Sequence, residues 1–120
     1  MREEIYWVVT AAVKPGKFEE FTTVVAPLVA ATKEEPGSLA YDYSVNSDRT
    51  VIQIFESYRD SAAVVDHVTK TFSQFADGFS ACVDIESFVV YGTPDPSALE
   101  ILDGFGSRYM TPFEGFTRKP

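Results

Sequence analysis

The chain of 120 residues holds one histidine, His67, and one cysteine, Cys82, so proton transfer near neutral pH has a single imidazole to work with. His67 falls on the apolar side of a short predicted helix, beside Ala63 and Val64, which turns its ring toward whatever that helix covers. Glu56 stands between Ile54 and Tyr58 on the apolar parity of a predicted strand. An inward carboxylate must find a hydrogen-bond partner or take up a proton. Two surroundings fit. In one, a backbone N–H or an arginine satisfies Glu56, and His67 is an ordinary core residue. In the other, Glu56 and His67 share a polar cavity with Tyr58 and Tyr41, where a phenol or enol is held and deprotonated.

Other chemistries lack their residues. One His and one Cys give no HExxH or CxxC spacing, so no metal site is expected. No GxGxxG or GxxxxGK[ST] follows a strand, and no GxSxG turn offers a strained serine nucleophile. An enzyme of this sequence works with His67, carboxylates, tyrosines and ordered water, and no cofactor is expected.

Residues 5–13 are apolar on both parities and predict a central strand. After Lys14-Pro15-Gly16, Phe18, Phe21, Val25, Leu28 and Thr32 recur at helical spacing to about residue 34, with a kink or break expected near Pro27. Leu39, Tyr41, Tyr43 and Val45 alternate as one face of a strand, and Asn46-Ser47-Asp48 turns the chain into a return strand over 51–58. Asp60 caps a short helix from Ser61 to about Val68. Phe72, Phe75, Ala76 and Phe79 follow at helical spacing, and Ala81 to Tyr91 predicts a last strand whose odd positions Val83, Ile85, Val89 and Tyr91 form the apolar face.

The order strand, helix, strand, strand, helix, strand is that of an α+β, ferredoxin-like split βαβ antiparallel sheet with helices on one face. The first strand is apolar on both faces, so a second copy packing sheet on sheet is expected, making a homodimer. Residues 1–92 form this domain. Residues 93–120 read as a C-terminal extension with a short helix and the rings Phe105, Tyr109, Phe113 and Phe116, expected to pack on the domain or on the dimer partner.

Ten Lys and Arg against eighteen Asp and Glu leave a net charge of −8, which repels phosphate backbones, so nucleic acid is an unfavourable partner. No apolar run approaches the ~18 residues of a membrane span. The start MREEIYWVV lacks the pattern of a signal peptide and Cys82 has no partner cysteine, so a reducing, cytoplasmic setting is expected. Ten Phe and six Tyr point to an aromatic core, a ring-lined pocket or a subunit interface.

Four stretches resemble a known family: Lys14-Pro15-Gly16-Lys17-Phe18; Glu35-Pro36-Gly37 followed by Tyr41; Phe55-Glu56-Ser57-Tyr58 at a strand end; and Ala63 to His67. In order and spacing they look like the antibiotic biosynthesis monooxygenase domain, over about residues 5–91. The resemblance implies a dimeric α+β barrel with a pocket between sheet and helices. Similar members include cofactor-free oxygenases of quinols and anthrones, an isomerase of a phosphorylated signalling sugar, and haem-degrading enzymes. The strand-end aromatic, often Trp in the family, is Tyr58 here, and Ala76 stands where haem-degrading relatives carry a ligating His, which disfavours haem. The stretch ESYRDSAAVVDH also resembles the isomerase branch.

With the residues, the resemblance implies a cofactor-independent monooxygenase acting with O₂ on a small electron-rich aromatic such as a quinol, anthrone or polyphenol. His67 would be the base or proton shuttle, and Glu56 and Tyr58 would position the substrate oxygen. Tyr41, Phe72, Phe75 and Phe79 would line the substrate site. The alternatives are isomerisation of a small phosphoketose-like metabolite and a dimeric ligand-binding module without catalysis.

Overall fold

The computed structural model describes residues 3–118. β1 (Ile5–Val13) leads to α1 (Phe18–Lys33), β2 (Ser38–Val45), β3 (Val51–Tyr58) and α2 (Ser61–Asp66). A π-helical turn (His67–Thr71) and a 3₁₀ turn (Phe72–Gln74) link α2 to α3 (Ala76–Cys82), β4 (Val83–Tyr91), α4 (Pro96–Asp103) and β5 (Arg108–Met110). The strands form one sheet in the order β2-β3-β1-β4-β5, antiparallel except that β5 joins β4 in parallel. The α+β ferredoxin-like sheet expected from the sequence is present, with β5 as an addition at its edge.

β1 is central, and its odd positions Ile5, Trp7, Val9 and Ala11 are buried under the helices. From β3 the same face receives Ile52, Ile54, Glu56 and Tyr58, and α1 contributes Phe21 and Leu28. Asp60 caps α2 by accepting from the Ala63 N–H, and Asp95 caps α4 in the same way through Ala98. α1 lies beside α3, and α2 beside α4.

Several local expectations are corrected. α1 runs unbroken through Pro27; proline removes only one N–H donor, and burial of Leu28 and Thr32 below it holds the next turn in place. The last strand starts at Val83, because Ala81 and Cys82 still belong to α3. Its apolar parity changes partway. Thr10 pairs with Ser87 but Ala11 with Ile85, so Glu86 is an extra residue in a β-bulge. Beyond the bulge Phe88 and Val90 face the helices, while Val89 and Tyr91 turn to the opposite face. β2 is an edge strand with its own irregularity between Ser38 and Ala40, and Leu39 is exposed instead of buried.

After Gly92, α4 buries Ala98 and Leu102, and Tyr109 packs against the core from β5. Phe105 lies between them on a turn whose Gly106 has φ 71°. Phe113 and Phe116 are exposed.

Candidate active site

One loop and a helix distortion bring the polar residues together. α1 ends at Lys33 with Glu34 as its C-cap, and Glu35-Pro36-Gly37 turns the chain into β2. Gly37 passes so close to α2 that a Cβ there would sit 2.5 Å from the Ala63 Cβ. That approach carries the neighbouring Glu35 under α2. His67 begins the π turn, an irregularity frequent at functional sites, and its ring is buried against the sheet.

Glu35 grips the ring from one side. Its Oε1 and Oε2 lie 3.1 and 3.2 Å from His67 Nδ1, and its Oε1 also accepts from the Ser38 hydroxyl at 2.5 Å. A carboxylate accepts, so Nδ1 carries the proton and Nε2 presents a lone pair. Nε2 faces Glu56 Oε1 at 3.8 Å. The same oxygen accepts from the Tyr58 hydroxyl at 2.6 Å.

Burial pushes the Glu56 carboxyl up to about 7, against the opposing effect of the Tyr58 hydroxyl and the Trp7 indole. Burial pushes His67 down, and the Glu35 charge partly restores it. Tyr58 is pushed well up by burial and then by the Glu56 charge, which keeps it a neutral donor. Tyr41 and Tyr43 are likewise raised by burial and share a hydrogen bond of 2.9 Å. Burial thus makes the Glu56 carboxyl more basic than an ordinary carboxylate and the His67 imidazole less basic than an ordinary one, so a proton taken up by the pair rests mainly on Glu56.

The cluster opens onto an apolar cavity between sheet and helices. Trp7, Val9, Ile54 and Phe88 come from the sheet, Phe72 and Phe79 from the helical side, and Phe105 from the turn after α4. Glu56, His67, Tyr41 and Tyr43 are its polar lining. The free space is about 30 Å³, far below the ~150 Å³ of a cavity that holds benzene. A ring enters only as side chains move. Phe105 stacks on Phe88 with ring centres 5.4 Å apart and meets Phe72 at 6.3 Å, so these rings form the closing side.

Of the residues the sequence singled out, His67, Glu56, Tyr41, Phe72 and Phe79 line this cavity. Tyr58 stands behind it, bonded to Glu56 and packed on Trp7 and His67. Phe75 does not line it and packs partly buried against the core. Sequence reasoning missed Glu35, Trp7, Phe88 and Phe105. The Glu35-Pro36-Gly37 motif was visible as a helix stop, but only the fold pairs it with a histidine 32 positions away. Among the described residues no three His, Cys, Asp or Glu side chains gather as a metal site, and no helix is long and apolar enough to cross a membrane.

Comparison with solved structures supports this architecture. MupZ from Pseudomonas fluorescens superposes with a TM-score of 0.83 at 19% identity, covering 98% of this chain and 91% of that one. SnoaB, a cofactor-independent oxygenase from Streptomyces nogalater, gives 0.66 at 19% identity over 78% and 95%. Protein SO0527 from Shewanella oneidensis gives 0.61 at 27% identity over 75% and 88%. A comparison with curated proteins gives no match. Residues 5–78 match the antibiotic biosynthesis monooxygenase family, so the resemblance seen in the motifs is borne out and the chain belongs to that family.

Proposed function

We propose that this chain is a cofactor-independent monooxygenase that oxidises a small electron-rich aromatic, such as a quinol, anthrone or polyphenol, with O₂. The observation that carries the reading is the Glu35–His67–Glu56 chain ending in an apolar, ring-lined cavity. Such a site can take a proton from a bound C–H or O–H and pass it outward, leaving a desolvated anion. Glu56 accepts the proton, His67 Nε2 relieves it, and Glu35, which also lines a cleft on the other side with Arg59 and Lys70, connects the ring to solvent.

The anion then supplies the electrons. It passes one to O₂, the radical pair combines into a C–O bond, the peroxide anion takes up the returned proton, and the second C–H proton leaves as the O–O bond breaks, giving C=O and water. For an anthrone the balance is CH₂ + O₂ → C=O + H₂O, with two substrate C–H bonds lost and one oxygen retained. The solved oxygenase SnoaB shares this fold. Among the described residues lining the cavity there is no Lys or Arg, so a phosphoketose would meet no cation there, and this favours the aromatic over the isomerase substrate.

The test is oxygen uptake by purified protein with a panel of quinols and anthrones, with chelator present and no flavin or haem added. Turnover of at least one, with one O₂ consumed per product, is expected. Isomerisation of a sugar phosphate seen by NMR, with every aromatic inert, overturns the reading.

A further inference from the structure

We propose that Trp7 and Glu56 together form a receptor for one hydroxyl group of the ligand, the indole N–H donating to its oxygen and the carboxylate accepting its proton. This rests on the reading of the cavity as an acid–base site and adds which group of the ligand is held, and by what.

Among the described residues the Trp7 indole nitrogen is the one buried side-chain N or O atom without a hydrogen-bond partner. Buried polar groups are seldom left so, and an unpaired one in a cavity wall calls for a ligand or water. Trp7 pairs directly with Glu56 across β1 and β3, which puts both side chains on the cavity face. The indole N–H lies near enough to the Glu56 carboxyl to favour its anion, but no contact between them has the length and angle of a full hydrogen bond. A donor and an acceptor that face one another without bonding are bridged by an O–H group, whose lone pair serves the one and whose proton serves the other. Glu56 Oε1 is already engaged by Tyr58, so the bridging group meets a carboxyl held in place.

The indole has little freedom to look elsewhere. Its ring lies 4.8 Å from that of Tyr58 and 5.4 Å from that of Phe88. Around the pair the wall is apolar, with Val9, Ile54 and Phe79. The ligand this describes is a flat apolar frame with one hydroxyl acidic enough to share its proton with a carboxylate. A phenolic or enolic hydroxyl meets both demands, and an ether or ketone oxygen only the first.

Because Trp7 is the one tryptophan of the chain, its indole N–H gives a single NMR cross-peak that needs no assignment. ¹⁵N-labelled full-length protein is titrated with phenol, anisole and toluene, which share one ring and offer donor plus acceptor, acceptor only, and neither. Phenol is expected to move the indole proton downfield and to bind more tightly than toluene by about tenfold or more. Anisole is expected to move the same peak with weaker binding. In Trp7→Phe, calorimetry is expected to find most of the phenol advantage gone.

Equal binding of the three ligands, or an indole shift the same with toluene as with phenol, overturns the receptor while leaving the acid–base cavity standing. A phenol advantage intact in a folded Trp7→Phe also overturns it. Failure of all three to bind at millimolar concentration overturns the receptor and the aromatic substrate together. Should Trp7→Phe not fold, the three wild-type titrations decide alone.

Discussion

Glu56 is isolated enough from water for its proton to matter to folding as well as to catalysis. Burial raises its carboxyl from the ordinary 4.5 to about 7. Between those values the folded chain keeps a proton that the unfolded chain has released, so the contribution to stability is full below about 4.5 and is lost as pH rises through about 7. Glu56→Gln, neutral at every pH and still able to accept from Tyr58, is expected to match wild type near pH 4 and exceed it at pH 8. The upper bound on that gain is about 3 kcal/mol. Denaturant unfolding at the two pH values checks this, and equal curves at pH 8 would refute it. Turnover of any confirmed substrate is expected to fall by roughly 10²- to 10⁴-fold in the same variant.

Glu35 makes a separate prediction. Its charge raises the His67 imidazole against the lowering by burial, so Glu35→Gln is expected to lower the His67 titration point further. The one histidine of the chain can be followed by NMR without interference; an unmoved titration would show that the carboxylate does not govern the ring.

The turn that follows α4 adds a wall to the cavity that the βαβ elements alone leave open. Phe105, between Gly104 and Gly106, reaches back to stack on Phe88 and to touch Phe72. Its ring is only partly buried, so Phe105→Ala is expected to cost about 2 kcal/mol, less than the ~3–5 of a fully buried phenylalanine. It should also bind two-ring ligands such as naphthol more tightly than the wild type does. Chemical denaturation and ligand titration measure the two effects, and an unchanged naphthol affinity would remove Phe105 from the closing side.

At this scale the sequence was legible where a single periodicity runs through an element. Glu56 is recognised as inward because Ile52, Ile54 and Tyr58 share its parity without interruption. β4 was misread beyond Ile85 because one bulged residue reverses every later side chain, and no composition signal marks Glu86 as the extra one. The three-residue β5 was not anticipated, since its pairing with β4 comes from the place to which α4 returns the chain.

For the molecule as a whole, the open question is what covers the sheet face opposite the helices. That face carries Tyr6, Val8, Phe55, Val89 and Tyr91, with Met110 of β5 in register beside Tyr91. Tyr6 and Tyr91 stack with ring centres 5.0 Å apart, and Phe55 leans on Tyr6 at 6.1 Å. Phe55 and Met110 remain 40% and 55% exposed. An apolar area of this extent is rarely left to water, and a twofold pairing of the face with itself would bury these side chains on both copies at once. We therefore expect a homodimer, with light scattering giving twice the chain mass of 13.3 kDa.

Val8→Asp places a charge at the middle of the central strand's outer face without touching the cavity side. It is expected to yield monomers, because two copies would each bring an unpaired carboxylate into the contact. The exposed rings Phe113 and Phe116 lie beyond β5, outside the chain's own core. Removing residues 111–120 should therefore leave the unfolding transition of the monomeric Val8→Asp background unmoved, and in the otherwise native chain should weaken the dimer if those rings rest on the partner. A truncated chain that dimerises as tightly as the full one would assign the interface to the sheet face alone, and a Val8→Asp protein that still scatters as a dimer would exclude that face.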